Sequence, residues 1–289
     1  MRTVARSLFV ASLCLYASRG SAREILIPNV VAFARGANGA FWGTEIRLIN
    51  PTSVPKSFRV VDWIGSGRQV PFEATVPAGV TRVVGGWELY SAWLDNLPFI
   101  SPTGEAEFGA AICEIDDGLL VVARTLSSTL PVSLPPFRPS VCAGNAGGYA
   151  YGGDYDLKMC NWGVGPMLYA DRTFFEPGQP QNLLMLNPRR NHYRTNLVIV
   201  NGDAAEATVT IDVIGGAGEK ASKILRVPAR TYFQLNDIYS LPELADLEAA
   251  SEDIRSFGQR ATVTCSTRCF AIAYVISNEN NTVSIVEPR

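Results

Sequence analysis

The chain contains a single histidine, His192, and this residue is the one candidate for a histidine base among 289 residues. A catalytic triad would place it beside a nucleophile and an acid that orients its ring. The sequence has no Gly-x-Ser-x-Gly motif that would supply the serine. We therefore expect His192 to be a solvent-exposed loop residue, and we expect the chain to contain no catalytic residue.

Acidic residues offer a second kind of chemistry, because two carboxylates that meet in space can hydrolyse a glycosidic bond wherever they lie in the sequence. Such residues concentrate along one predicted hairpin, at Glu105, Glu107, Glu114, Asp116 and Asp117. Acidic residues at alternating strand positions or in turns more often point into solvent at the edge of a strand. A carbohydrate-active hydrolase with paired carboxylates is therefore the alternative to a non-enzymatic protein.

The sequence predicts neither a metal site nor a cofactor. One histidine and the absence of a Cys-x-x-Cys pair exclude a structural zinc site. Asp154 and Asp156 form an incomplete calcium pattern. Phosphate-binding glycine motifs are absent. The net charge of −2 argues against a nucleic-acid partner, since proteins that bind nucleic acids carry a basic excess.

Aromatic residues are the better candidates for binding, because tryptophan and tyrosine combine a large apolar area with a polar group. Several of them fall in predicted loops or a short helix and have no counterpart elsewhere in the chain. These candidate ligand-binding residues are Tyr149, Tyr151, Tyr155, Trp162, Trp87 and Trp93. Their ligand would be an unknown protein or a polysaccharide at the cell surface.

Residues 1–22 are predicted to be a signal peptide. Arg2 and Arg6 precede an apolar run over residues 8–17, and small residues then offer a cleavage site after Ala22. The run is shorter than the roughly 20 residues that a membrane span requires. The mature chain is therefore expected outside the cytoplasm, in the periplasm, secreted or at the cell surface, with no membrane span.

The sequence contains an internal repeat with an offset of about 150 residues, and this repeat organises the elements that position these residues. Residues 44–50 (TEIRLIN) recur as residues 195–201 (TNLVIVN), and residues 61–65 recur as residues 211–215. The Val-Pro-Ala of residues 76–78 returns at residues 227–229, and Cys113 is matched with Cys265. Further matches keep the same order, which favours an internal duplication.

Each half is predicted to be built of short β-strands separated by turn residues. The strands predicted in the first half cover residues 25–34, 44–50, 57–64, 72–76, 80–84, 105–113, 119–127 and 132–134. The fold class is therefore all-β, with two tandem antiparallel immunoglobulin-like β-sandwich modules. A short helix is predicted in each module, at residues 87–97 and 241–250. A β-barrel is the alternative to the β-sandwich architecture.

The predicted domain organisation is a signal peptide (1–22), a first module (23–138), a Gly/Tyr-rich loop bracketed by cysteines (139–165) and a second module (166–289). A disulfide between Cys142 and Cys160 would close the loop, and one between Cys265 and Cys269 would cross a hairpin turn. Cys113 is then left over, and it is expected to be a small buried apolar residue.

The run from Ile27-Pro28 through Gly36-Ala37-Asn38-Gly39-Ala40-Phe41-Trp42-Gly43-Thr44-Glu45 to Asn50-Pro51 resembles exported, largely uncharacterised bacterial proteins with tandem β-sandwich repeats. The resemblance covers most of the first half, whereas the second half has Asn187-Pro188-Arg189-Arg190 in place of the Gly-Ala-Asn-Gly turn. It implies a β-rich module outside the cytoplasm and transfers no catalytic residue.

These observations together predict an exported, non-enzymatic protein for binding, adhesion or surface assembly. Besides the hydrolase, a two-module periplasmic assembly chaperone is an alternative, and it would need a long exposed edge strand to pair with its client.

Overall fold

The structure is a computed structural model of the chain, and it describes residues 22–32, 34–35, 41–65, 72–85, 107–128, 162–169, 172–187, 192–215, 218–244, 247, 259–279 and 283–289. Its regular elements are antiparallel β-strands and two 3₁₀ turns, Ile238–Ser240 and Pro242–Leu244. This confirms the predicted all-β class. The helix predicted at residues 87–97 lies outside the described residues. In the second predicted helix, at residues 241–250, the described part contains the turn Pro242–Leu244.

Nine strands come from the described residues of the first half and the segment that follows it. They are β1 (Ala22–Ala32), β2 (Ala34–Arg35), β3 (Phe41–Ile49), β4 (Lys56–Gly65), β5 (Phe72–Val76), β6 (Thr81–Gly85), β7 (Glu107–Asp116), β8 (Leu120–Ser128) and β9 (Trp162–Tyr169). Strand β9 spans the predicted boundary at residue 165 and pairs with β8.

Eight further strands come from the described residues of the second half. They are β10 (Gln181–Leu186), β11 (Tyr193–Asn201), β12 (Ala207–Ile214), β13 (Lys220–Val227), β14 (Tyr232–Leu235), β15 (Gln259–Cys265), β16 (Cys269–Ser277) and β17 (Val283–Val286).

The strands form four sheets, and the two halves repeat the same order. Sheet A (β1-β7-β4-β5) in the first half corresponds to sheet D (β10-β15-β12-β13) in the second. Sheet B (β2-β3-β8-β9, with β6 also paired to β3) corresponds to sheet C (β14-β11-β16-β17). Sheets A and B share one apolar core, and sheets C and D share another.

A third apolar cluster joins the two halves. It contains Leu26 and Ile112 from sheet A together with Val198, Phe270 and Ile272 from sheet C. The sheets are therefore stacked in the order B, A, C, D. The burial patterns agree with this order: β16 is buried along its whole length because both of its faces are covered, whereas β12 alternates between buried and more exposed residues.

The connection between the halves passes along the edges of the same layers. After β9 in sheet B, Arg172 accepts a hydrogen bond from the backbone N–H of Leu26 in sheet A (2.7 Å). Phe175 then exchanges two backbone hydrogen bonds with Cys269 in sheet C (2.9 and 3.2 Å), before the chain enters β10 in sheet D. The connection is thus hydrogen-bonded to both halves.

One buried asparagine in each half holds the same turn. The side-chain amides of Asn50 and Asn201 each donate to three backbone carbonyls at corresponding positions. The acceptors are Val54, Val76 and Pro77 for Asn50 (2.8, 2.9 and 3.1 Å), and Ala205, Val227 and Pro228 for Asn201 (2.8, 3.3 and 2.9 Å). Two segments far apart in sequence are thereby tied together in each half.

The cysteines of the described residues are of two kinds. Cys265 and Cys269 form a disulfide across the connection between β15 and β16, with their Cα atoms 6.3 Å apart. Cys113 is free and buried in the core between sheets A and B, and burial raises the pKa of its thiol. Cys142 and Cys160 lie outside the described residues.

The strand register corrects one match of the internal repeat. Cys265 pairs with Val209 at the start of β12, whereas Ile115 pairs with Phe58 at the corresponding place in the first half. Ile115, two residues beyond Cys113, is therefore the structural counterpart of Cys265.

Substituting Asn201→Asp tests the buried amide. The new carboxylate cannot donate to the three carbonyls, so we expect a loss of about 3 kcal/mol or more in the free energy of unfolding near neutral pH. Burial among carbonyl oxygens raises the folded-state pKa of the new acid above its unfolded value of about 4. The loss should therefore be smallest below pH 4 and grow as the pH rises. Denaturant unfolding between pH 3.5 and 8 measures it, with exposed Asn236→Asp as the control. A loss independent of pH would contradict this account.

A pair of matched substitutions tests the contact between the halves. Ile112 faces sheet C and is 6% exposed, whereas Thr262, at the corresponding position of sheet D, is half-buried and no sheet of the described residues packs on it. Ile112→Asp puts a carboxylate into the apolar cluster, and we expect it to cost several kcal/mol in the free energy of unfolding. Thr262→Asp puts a second carboxylate opposite Asp212 and loses the hydrogen bond to Asn182. It should therefore cost about 1 kcal/mol, well below the cost of Ile112→Asp. Equal effects of the two substitutions in calorimetry would show that the contact is not stabilising.

Candidate functional site

The predicted aromatic site is described at one position. Trp162 is the first residue of β9, where its backbone pairs with Ser128 of β8. Tyr149, Tyr151, Tyr155, Trp87 and Trp93 lie outside the described residues. The grouping of these six aromatic residues therefore stays a prediction.

Two of the acidic residues predicted on the β7 hairpin, Glu114 and Asp116, have described structural partners. Glu114 forms an ion pair with Arg59 on the neighbouring strand β4. A side-chain oxygen of Asp116 accepts a hydrogen bond from the backbone N–H of Ser57 (2.8 Å). Ser266 makes the corresponding bond to Thr208 in the second half (2.8 Å). The position thus serves the hairpin in both halves, which is a structural use of the Asp116 carboxylate. Glu105 lies outside the described residues.

His192 lies at the protein surface, with 58% of its side chain exposed, and its Nδ1 is 3.0 Å from a carboxylate oxygen of Glu279. Glu279 is itself 71% exposed, so water surrounds the pair. Among the described residues, no three side chains of His, Cys, Asp or Glu come together in a way that could hold a metal ion.

The outer face of sheet B carries a different kind of site, which we name the Arg47 patch. Four apolar side chains surround Arg47 on adjacent strands: Ile49, Val83, Leu120 and Val122. The register pairs Arg47 with Val122 and Val83, and Ile49 with Leu120. Val83 is 43% exposed and Leu120 is 50% exposed. Val122 is only 8% exposed and Ile49 is half-buried, so Val83 and Leu120 supply most of the exposed apolar surface. Exposed apolar residues grouped around a charge are found at sites that bind other macromolecules.

Glu45 organises the charged side of the Arg47 patch. One of its oxygens accepts from Nε of Arg47 and the other from an Nη of Arg124, both at 2.8 Å. Burial alone would raise the pKa of Glu45, but the hydrogen bonds from Arg124 and Arg47 outweigh it and lower the pKa below its ordinary value. Glu45 is therefore ionised at neutral pH and fixes both guanidinium groups.

Only one side of the Arg47 guanidinium is hydrogen-bonded within the described part of the chain. Its Nε is bound to Glu45, whereas its two Nη groups have no hydrogen-bond partner among the described residues. Its side chain is 36% exposed. A guanidinium fixed in this way can bind a carboxylate with two parallel hydrogen bonds. Arginine in an apolar surrounding is also a common centre of binding energy in protein interfaces.

The Arg47 patch corresponds to a surface that already makes a contact inside the molecule. Arg47, Ile49 and Val122 occupy the positions that Val198, Val200 and Ile272 occupy in sheet C. Those three residues of sheet C pack on sheet A. The outer face of sheet B therefore has the backbone arrangement of a docking face but a different set of side chains.

The Arg47 patch was not predicted from the sequence, because Arg47 lies on a strand whereas the aromatic candidates for binding lie in predicted loops or a short helix. A signal was present in the repeat itself: residues 44–50 and 195–201 match closely, but Glu45 and Arg47 stand where the second copy has Asn196 and Val198. Charged residues in one copy of a strand and uncharged residues in the other indicate that the two outer faces meet different surroundings.

In the part of the chain that the structure describes, no helix has the length and apolar character needed to cross a membrane.

Comparison with known proteins adds little. No protein-family model and no curated protein matches the sequence. The crystal structure of Thermotoga maritima 1070 is similar to 37% of this chain and 90% of its own, with 9% sequence identity and a TM-score of 0.27. A likeness at that TM-score is too weak to inform fold or function, so the function has to be inferred from the residues of this chain.

Proposed function

We propose that this chain is an exported, non-enzymatic binding protein made of two immunoglobulin-like β-sandwich modules that arose by internal duplication. The repeated sheet order and the repeated asparagine contacts support the duplication. The predicted signal peptide supports export, and so does the Cys265–Cys269 disulfide, because disulfides persist in oxidising compartments.

The binding surface in this proposal is the Arg47 patch, and its partner is a protein. The observation that carries the proposal is the open guanidinium fork of Arg47 among Ile49, Val83 and Leu120. The corresponding face of sheet C docks on sheet A, whose apolar surface has the carboxylate of Asp62 beside it. By analogy, the partner presents an apolar sheet face with an Asp or Glu that reaches Arg47.

A carbohydrate-active hydrolase has less support from the described residues. Glu114 is paired with Arg59, and Asp116 holds the backbone of Ser57, so neither is poised as an acid or a nucleophile. An assembly chaperone would need a free edge strand. The edge strand β13 carries Lys220, Lys223 and Arg226, and basic residues on an edge strand oppose pairing with another chain.

Capture of partners from native envelope and culture fractions tests the proposal. The bait is the mature protein, compared with Arg47→Gln and Leu120→Asp, each checked for an unchanged melting temperature. We expect both substitutions to reduce the captured protein at least tenfold, because one removes the cation and the other puts a charge into apolar contact area.

The matched control is Ile224→Asp, which introduces the same charge at an apolar residue 64% exposed on the outer face of sheet D. It should leave capture unchanged. The proposal fails if all three variants capture the same protein equally well, if the retained material is a polysaccharide, or if nothing is retained by the wild-type bait.

A further inference from the structure

The contact between the two halves joins faces that are not equivalent. Sheet A of the first half meets sheet C of the second, although the counterpart of sheet A is sheet D and the counterpart of sheet C is sheet B. A contact between two different faces of a repeated unit is heterologous, and it can continue indefinitely unless something stops it. Sheets B and D are the two ends of this series, and among the described residues no other sheet packs on their outer faces.

We propose that polar and charged residues on the outer faces of sheets B and D cap this series and prevent copies of the chain from stacking end to end. The excluded occupant of each face is a second copy of the chain, docked as sheet C docks on sheet A. This inference rests on the register of the sheets and is independent of the proposed function.

Sheet D has lost most of the apolar surface that sheet A uses. The register equates Leu26, Ile112 and Ala110 of sheet A with Asn182, Thr262 and Arg260 of sheet D. Two hydrogen bonds tie part of this surface into a polar row: Thr262 donates to Asn182 (3.0 Å), and Ser222 donates to Asp212. Docking an apolar face here would cost the desolvation of these groups.

Sheet B has different residues from sheet C at positions that are buried in the contact of sheet C with sheet A. Arg47, Thr81 and Arg124 replace Val198, Tyr232 and Tyr274, and all three of those sheet C residues are buried in the cluster between the halves. Sheet B also lacks the equivalent of a cation that forms an ion pair at the edge of that cluster. Arg230 binds Asp62 across the halves, whereas its counterpart in the first half is Gly79.

The backbone at Gly79 is nevertheless suited to the missing arginine. Gly79 has φ +69° and Arg230 has φ +50°, so both residues adopt the left-handed conformation in the same turn. A Cβ added at Gly79 would meet no atom within 4 Å. The acidic counterpart is retained in sheet D, because Asp212 occupies the position of Asp62. Substituting individual residues of sheet B and of the Gly79 turn can therefore give sheet B the docking residues of sheet C.

Two sets of substitutions in the full chain test the capping. The first restores the docking face of sheet B with Glu45→Asn, Arg47→Val, Gly79→Arg, Thr81→Tyr and Arg124→Tyr. The second restores the receiving face of sheet D with Asn182→Leu, Arg260→Ala and Thr262→Ile. Each variant alone should sediment as the wild type does. An equimolar mixture should shift towards twice that mass, and a chain with both sets should form longer assemblies as its concentration rises.

The control uses three substitutions on the same face of sheet D at positions whose counterparts in sheet A are polar. Thr208→Val, Thr210→Val and Thr264→Val correspond to Ser57, Arg59 and Glu114. They add apolar surface outside the docking positions, so this variant should not associate with the sheet B variant.

Equal association of the control variant would attribute the effect to general stickiness and overturn the inference. So would a mixture of the two restored variants that stays at the wild-type mass. If the sheet B variant fails to fold, a milder version with Arg47→Val, Gly79→Arg and Thr81→Tyr keeps the Glu45–Arg124 ion pair and answers the same question.

Discussion

The apolar contact between sheets A and C determines how the rest of the molecule is arranged. Val198, Phe270 and Ile272 are each 0% exposed although they lie on the face of sheet C that points away from its own core. Burying an aliphatic or aromatic side chain contributes roughly 1.5–3 kcal/mol relative to leaving it in water. The contact therefore turns two sheet pairs into one four-layer stack, and within the described part of the chain no further sheet packs on the outer faces of sheets B and D.

A polar bridge sets the register of this contact. Asn29 in β1 accepts a hydrogen bond from the hydroxyl of Tyr232 in sheet C (2.9 Å) and donates one to Thr125 in sheet B (3.4 Å). Burial raises the pKa of Tyr232, so this hydroxyl stays protonated and able to donate. Because an unmade hydrogen bond at a buried site is costly, the bridge favours one alignment of the apolar faces. The apolar surfaces alone would permit several.

The sequence predicted the elements better than their arrangement. Alternating or continuous apolar runs locate strands such as β4, β5 and β8, since the period of two is a local property of the chain. Strand β9 was missed because Gly163, Gly165 and Pro166 interrupt its pattern. The stacking of sheet A on sheet C could not be predicted, since an apolar outer face indicates that something covers it but does not say what. Glu45 and Arg47 were overlooked for a related reason: a charged residue on a strand is usually solvated.

The differences between the two repeats are therefore more informative about function than their similarities. Positions that match, such as Asn50 and Asn201, maintain a shared turn and are required wherever the module is used. Arg47 and Val198 occupy equivalent positions of equivalent strands, but Val198 is buried in the contact between the halves, whereas Arg47 is bound to Glu45 through its Nε and its side chain is 36% exposed. Because the sheet order and the pairing of these strands are repeated in both halves, the change from Val198 to Arg47 points to different surroundings of the two outer faces. A fixed guanidinium among aliphatic side chains suits the protein partner with a carboxylate that we propose, and it disfavours a second copy docked as sheet C docks on sheet A.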